Sequence, residues 1–332
     1  MKAKSRGDFI LFFVVLILIV FGAVMVFSAS YYETIALGGN PFSYLVRVSA
    51  WAAAGLVLMF ALTFVPYRIY YAMAPVMLLV GIALLCLLFT PLGTEINSAR
   101  RWIQIGPVTI MPGEIAKITA IWFVAYFYTK NKAMTRSLRR GFMPILILTL
   151  IYFVLIYKEP NLSTALILVG IIFSMIFLAG GNLAHIGSTL IAGGVGIVFL
   201  LVSGANEEHT KRFTGFLHPF EDAQGEFYQT VQGLLALGSG GVYGVGPGNG
   251  IQKALYLPFA QNDFIFAVIG EELGFLGCSA LLLVYLILIW RCVQIAMNAP
   301  DRFAMLVASG ITVMLALQVI LNVAVVTALM PP

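Results

Sequence analysis

Charge is scarce in this 332-residue sequence: Asp, Glu, Lys and Arg together make up 10% of it, where a soluble domain carries about 25%. That scarcity excludes an ordinary water-soluble fold. Cysteine is rarer still, and Cys86, Cys278 and Cys292 all lie in or beside apolar runs. An odd number without metal-ligand spacing argues against a disulfide framework and against a cysteine metal site, leaving three small buried hydrophobes. Histidine is equally rare. His185, His209 and His218 share no spacing and stand near no Ser or Cys motif, so none is assigned a catalytic role.

Apolar residues are what the chain has instead, at 61% of the sequence and a mean hydropathy of +0.99. Nine apolar segments of roughly bilayer-spanning length fall at about 9 to 28, 48 to 66, 71 to 90, 113 to 128, 143 to 157, 163 to 179, 183 to 203, 264 to 290 and 304 to 330. At these lengths only helices satisfy their own backbone in lipid. The reading is all-α: a polytopic integral membrane helical bundle of about nine transmembrane helices. The first segment follows Met1-Lys2-Ala3-Lys4-Ser5-Arg6 and lacks a convincing cleavage site, so it reads as a retained helix. No repeat of fixed period divides the chain, which reads as one membrane domain over 1–332.

Lysine and arginine set the orientation. With the N-terminus in the cytoplasm, the inner loops carry a net +9 and the outer side a net −4, which accounts for the overall +5. The basic excess is a topology signal, and no nucleic-acid partner is needed to explain it. Two outer loops stand out. Residues 91–112 hold Arg100 and Arg101 beside Trp102, and residues 204–262 form one large loop. Such loops between rigid spans are functional or disordered, and the aromatic content here argues against disorder. A short amphipathic helix is expected over about 225 to 237, lying on the outer membrane surface. After it, residues 238–250 hold seven glycines; they fit neither nucleotide-binding spacing and suit either a flexible turn or tight packing on a helix or ligand.

The ionisable residues near the spans are the candidates for chemistry, because charge at membrane depth is costly. Asp263 stands at the junction of the large loop with the eighth segment, where partial desolvation would raise its basicity toward that of a general base. Glu271 and Glu272 follow on the same helix, about 100° apart. They are expected not to serve one site together, with one pairing to a basic group. Glu114 and Lys117 share a helical face at the mouth of the fourth span, as a structural ion pair or as a contact for an anionic substrate. Arg100 and Arg101 suit a phosphate or pyrophosphate headgroup, which guanidinium groups grip bidentately. Glu159 and Lys158 precede Pro160 and Asn161, a helix start with Asn161 or Ser163 as cap, and read as structural. Asn322 reads as interhelical glue.

With these residues on the page, the chain resembles the SEDS family, which contains FtsW, RodA and SpoVE. The matching stretches are NSARRWI (97–103), MPGEIAK (111–117), EPNLSTA (159–165), YQTVQGLLALGSGGVYGVGPGNGIQKALYLP (228–258) and NDFIFAVIGEELGF (262–275). The resemblance implies a peptidoglycan glycosyltransferase of the cell membrane, active outside the cytoplasm in division, sporulation or elongation. Its substrate would be lipid II, the undecaprenyl-pyrophosphate-linked disaccharide-pentapeptide, and its partners a class B penicillin-binding protein and other divisome or elongasome membrane proteins. It assigns Asp263 as the essential aspartate, and Arg101, Glu114 and Lys117, with Arg100 and Lys253 beside them, as substrate contacts. Gln229, Gln252, Glu159, Glu271 and Glu272 take structural or open roles. The spacing from Gln252 to Pro258 is nearer the FtsW and SpoVE branch.

The chain departs from the family where Phe259 and Gln261 replace a Glu and a frequent His, Asn161 replaces an Asp, and Gly233 and Gly250 replace serines. The resemblance also implies a further loop and a tenth span beyond Pro332, so the sequence reads as lacking its final span. No resident metal is assigned, although a divalent cation, Mg or Mn, would suit a leaving pyrophosphate. Two other functions fit the class: a lipid II transporter using midplane polar groups, and a non-catalytic scaffold for the transpeptidase.

Overall fold

The computed structural model describes residues 7–96, 99–106, 108–159, 161–202, 216, 219–225 and 227–330. Several sequence readings fall outside these residues: the N-terminal basic cluster, Pro160 as a helix start, His209 and His218, and the chain end at Pro332.

Each of the nine apolar segments is helical. The helices are α1 (Phe9–Ala36), α2 (Ser43–Leu62), α3 (Tyr67–Leu87), α4 (Pro112–Lys130), α5 (Met143–Tyr157), α6 (Leu162–Leu178), α7 (Leu183–Val202), α8 (Tyr228–Gly240), α9 (Ile265–Met297) and α10 (Arg302–Val326). Six helical stretches, 9–36, 43–62, 67–87, 138–157, 265–297 and 302–326, are each long and apolar enough to cross a bilayer. Residues 162–178 and 183–196 form shorter apolar helices.

Many outward faces are apolar too. On α2, Trp51, Val57, Leu58 and Phe60 are all more than half exposed, the pattern of a surface that meets lipid rather than water. Cys86 is likewise exposed, correcting its reading as buried, because apolar neighbours in a span do not distinguish the core from the lipid face.

Helix starts follow local chemistry. Asp8 caps α1, its carboxylate accepting from Leu11 N at 3.0 Å, and also accepts from Arg291 at 2.6 Å; both interactions hold its pKa below the ordinary carboxylate value, with the Leu11 bond the larger cause. Pro112 opens α4, where a missing N–H costs nothing. Asn161 caps α6 by accepting from Thr164 N at 3.2 Å.

The chain also contains a sheet that the all-α reading did not include. Strands β1 (Gly93–Ile96), β2 (Ala99–Ile105) and β3 (Val108–Ile110) form an antiparallel meander in the order β1-β2-β3. It is small, and the protein remains mainly helical.

Residue packing groups the chain into two compact units. The first takes in 1–64, 197–291 and 319–332, and the second 65–196 and 292–318. In the first, Met25 and Ala29 of α1, Ala236 of α8, Phe264, Ala267 and Val268 around the start of α9, and Val326 of α10 form one buried cluster. In the second, α3, α4, α5 and α6 pack around fully buried Tyr128, Tyr152 and Ile121. There Gly81 leaves room for the hydrogen bond between the Thr119 and Tyr152 hydroxyls, 3.1 Å apart.

Candidate functional site

In the first unit, α9 begins two residues after Asp263 and is interrupted at Gly274, whose φ of 65° and ψ of −167° are not helical. A break of this kind strands backbone groups that need partners. The glycine-rich segment after α8 supplies them. Phe275 N donates to Gly241 O at 2.9 Å, Leu276 N to Val242 O at 3.1 Å, Val245 N to Glu271 O at 2.9 Å and Gly246 N to Glu272 O at 3.1 Å. Backbone meets backbone so closely that a side chain on Gly240, Gly244 or Gly274 would collide with the opposite main chain. The glycines are therefore a packing device, and α8 runs from 228 to 240 rather than from about 225 to 237, since Gly240 still lies against α9.

Glu271 and Glu272 fasten the same segment. Glu271 accepts from Ile251 N at 2.7 Å and Gln252 N at 3.1 Å. Glu272 accepts from Gly248 N at 2.9 Å, from Lys253 at 2.6 Å and from the Ser28 hydroxyl at 2.7 Å. The two carboxylates serve one structure after all. Their angular separation on the helix does not keep them apart, because the loop wraps across the helix and presents different amides to each. Lys253 is 3% exposed, donates to Ser28 as well at 2.7 Å and lies 5.7 Å from the Tyr32 ring centre. Its ammonium is thus engaged inside the protein.

Asp263 is exposed. Its backbone carbonyl accepts from Asn322 Nδ2 at 3.1 Å. Gln229 donates to Pro258 O at 2.9 Å, and Gln252 contributes its backbone amide to Glu271. Gln261 donates to Glu33 at 2.7 Å. A cavity of about 170 Å3 lies between α1 and the 253–260 segment, lined by Ala29, Glu33, Lys253, Leu257 and Phe259. Phe259 has a φ of 49°, a strained backbone for a bulky residue. A side chain at Gly233 would strike the Phe264 ring, and one at Gly250 the Glu271 carboxylate; serine at either place would need the neighbour to move.

The polar residues of α1 in this cluster, Ser28, Tyr32 and Glu33, were not identified from sequence. Their signal was the run SASYYET from Ser28 to Thr34, at whose first residue the apolar segment stopped but which α1 continues through.

In the second unit, β2 carries Arg100 and Arg101. The β1–β2 register slips beside them, where Thr94 faces Trp102 and Glu95 faces Arg100, so Arg101 lies at a bulge. Arg100 is exposed and registers with Glu95 of β1. Arg101 is half-buried and donates through Nε to Glu159 O at 3.1 Å. Lys117, 1% exposed, pairs with Glu114 at 2.8 Å, and Glu114 is 50% exposed. The i, i+3 spacing thus forms a contact, and the far oxygen of Glu114 accepts from Gln318 at 3.4 Å.

Glu159 itself is 1% exposed, and among the described residues neither of its carboxyl oxygens has a hydrogen-bond partner. Burial pushes its pKa up to about 8, against the opposing pull of the Arg101 charge. Among the described residues no group of three or more His, Cys, Asp and Glu side chains is arranged to hold a metal ion.

Comparison with known proteins places these features. The family model described as a cell cycle protein, grouping FtsW, RodA and SpoVE, matches residues 8–332. Stage V sporulation protein E of Bacillus subtilis is 37% identical over 99% of this chain and 89% of its own length. A probable peptidoglycan glycosyltransferase FtsW of Trichlorobacter lovleyi is 36% identical over 98% of this chain and 86% of its own. Among solved structures, a chain from work on the structural coordination of polymerization and crosslinking by a peptidoglycan synthase complex superposes with a TM-score of 0.80. It shares 27% identity, over 99% of this chain and 89% of that one. The rod shape determining protein RodA of Thermus thermophilus superposes with a TM-score of 0.70 at 26% identity, over 99% and 87%.

Proposed function

We propose that this multi-pass membrane protein, which belongs to the FtsW, RodA and SpoVE family, is a peptidoglycan glycosyltransferase that polymerises lipid II at the outer face of the bacterial cell membrane. The observation that carries the reading is Asp263. Glu271 and Glu272 are taken up by internal contacts, whereas Asp263 is exposed on a backbone anchored by Asn322 and by the clasped helix beside it. A carboxylate so placed accepts the proton of the acceptor sugar's 4-hydroxyl as that oxygen attacks C1 of the donor. The lipid pyrophosphate then leaves with inversion. A general base of this kind contributes about 10² to 10⁴ in rate.

Arg101 and Lys117 are assigned to the negative charge that develops on the departing pyrophosphate, an electrostatic contribution that preorganised donors make without rearranging. Glu114 holds the Lys117 ammonium in place and, being half exposed, leaves that pair approachable. The charge bias of the loops puts the N-terminus in the cytoplasm and both outer loops outside. A class B penicillin-binding protein is the proposed partner, in keeping with a structurally similar chain from a synthase complex that couples polymerization with crosslinking.

Transport of lipid II is less well supported. The broken helix, a feature of many transporters, has its freed backbone groups taken up by the glycine segment, and Glu271 and Glu272 are spent on the same contacts. The test is the purified protein, with its cognate transpeptidase lacking any transferase of its own, incubated with labelled lipid II. Glycan chains are expected. Movement of lipid II between leaflets without chain formation would replace this reading with the transporter.

A further inference from the structure

Glu159 sits where an ionised carboxylate is strongly disfavoured. Its side chain is nearly fully buried, and among the described residues both carboxyl oxygens lack hydrogen-bond partners that would offset the loss of hydration. The charged groups among the described residues of the neighbouring elements are these. Lys158, in its own turn, is exposed. Glu114 and Lys117 of α4, whose first turn meets α6 where Gly113 faces the Thr164 methyl group, are engaged with each other. Arg101 of β2 is the charge that bears on Glu159, and it is tied to that residue's backbone carbonyl.

We propose that Glu159 is a neutral acid under working conditions and that its ionisation, by setting a negative charge beside Arg101, weakens that arginine's hold on an anionic ligand. The inference rests on the reading of Arg101 as a pyrophosphate contact. As a neutral acid, Glu159 leaves the Arg101 charge uncancelled by this carboxyl. When it loses its proton to solvent, the carboxylate competes with the ligand for the guanidinium. The two effects are reciprocal: a bound anion opposes ionisation of Glu159 by the same factor that ionisation opposes the anion. If the bound anion raises the pKa of Glu159 by about one unit, affinity falls about tenfold on ionisation. The fall is centred near the pH of about 8 that burial imposes.

The experiment is binding of geranylgeranyl pyrophosphate to the full chain in detergent, from about pH 7 to 9.5, for wild type, Glu159→Gln and Arg101→Gln. The probe's own ionisation is common to all three. Wild type is expected to lose about tenfold in affinity across this range, while Glu159→Gln keeps its high affinity throughout. Identical pH profiles for wild type and Glu159→Gln would overturn the inference but leave Arg101 as a contact. If Arg101→Gln binds as wild type does at pH 7, the reading of Arg101 fails and the inference with it. A second measurement needs no variant to fold: infrared difference spectra of wild type should show a buried carboxylic-acid band that disappears as pH rises through 8. A band already absent at pH 7 would also overturn the inference.

Discussion

Glu272 and Glu159 are the same kind of side chain at the same depth, each 1% exposed, yet the two units treat them in opposite ways. Glu272 is surrounded by donors: Lys253, Ser28 and the amide of Gly248. These contacts hold a loop against a broken helix. Among the described residues neither Glu159 carboxyl oxygen has a donor, and the Arg101 charge bears on it. Burial alone therefore does not say what a carboxyl group does. A buried acid with its partners is a fastening, and one without them is a titratable group.

The comparison can be broken most severely from the side of Lys253. Replacing it with Ala strands Glu272 as an uncompensated buried charge, which should cost about 3–5 kcal/mol; thermal unfolding in detergent should show a large drop, and an unchanged Tm would mean that the pair holds nothing. Gly274→Ala attacks the same clasp through the backbone. With φ at 65° and the Gly244 amide and Val242 carbonyl against it, the added methyl should destabilise by about 1–3 kcal/mol, checked by the same melt.

Glu159→Gln sharpens the other side and has the smallest effect at pH 5, where the acid and the amide are both neutral. Its folded pKa of about 8 lies above the ordinary 4.5. Between those values the folded state holds a proton that the unfolded chain has lost. Stability from this group is therefore full below about pH 4.5 and declines as pH rises toward 8. The glutamine variant should lack that decline and melt higher than wild type above pH 8; parallel melting curves from pH 5 to 9 would contradict the assignment.

The spans were legible in the sequence because hydropathy alone specifies them: each apolar run is a helix. Glu114 and Lys117 were legible for a similar reason, since helical spacing decides whether two side chains meet. The sheet was missed although its signals were present, with Asn-Ser and Gly-Pro dipeptides separating short runs rich in Ile, Val, Thr and Trp. The convergence of Glu271 and Glu272 was not legible, because it depends on the path of a loop twenty residues upstream and on a break at Gly274 that hydropathy passes over. The isolation of Glu159 is the least legible of all. No residue pattern marks the absence of a partner in space.

The central claim is that the acidic residues around α9 divide into fastenings and one exposed base. The most direct test is lipid II polymerisation by Asp263→Asn, with the thermal stability of the same preparation measured alongside. Loss of nearly all turnover, about 10²-fold or more, with an unchanged melting temperature is the result expected. Chains formed at the wild-type rate would show that Asp263 is not the base, and a melting temperature that falls with activity would make it one more fastening.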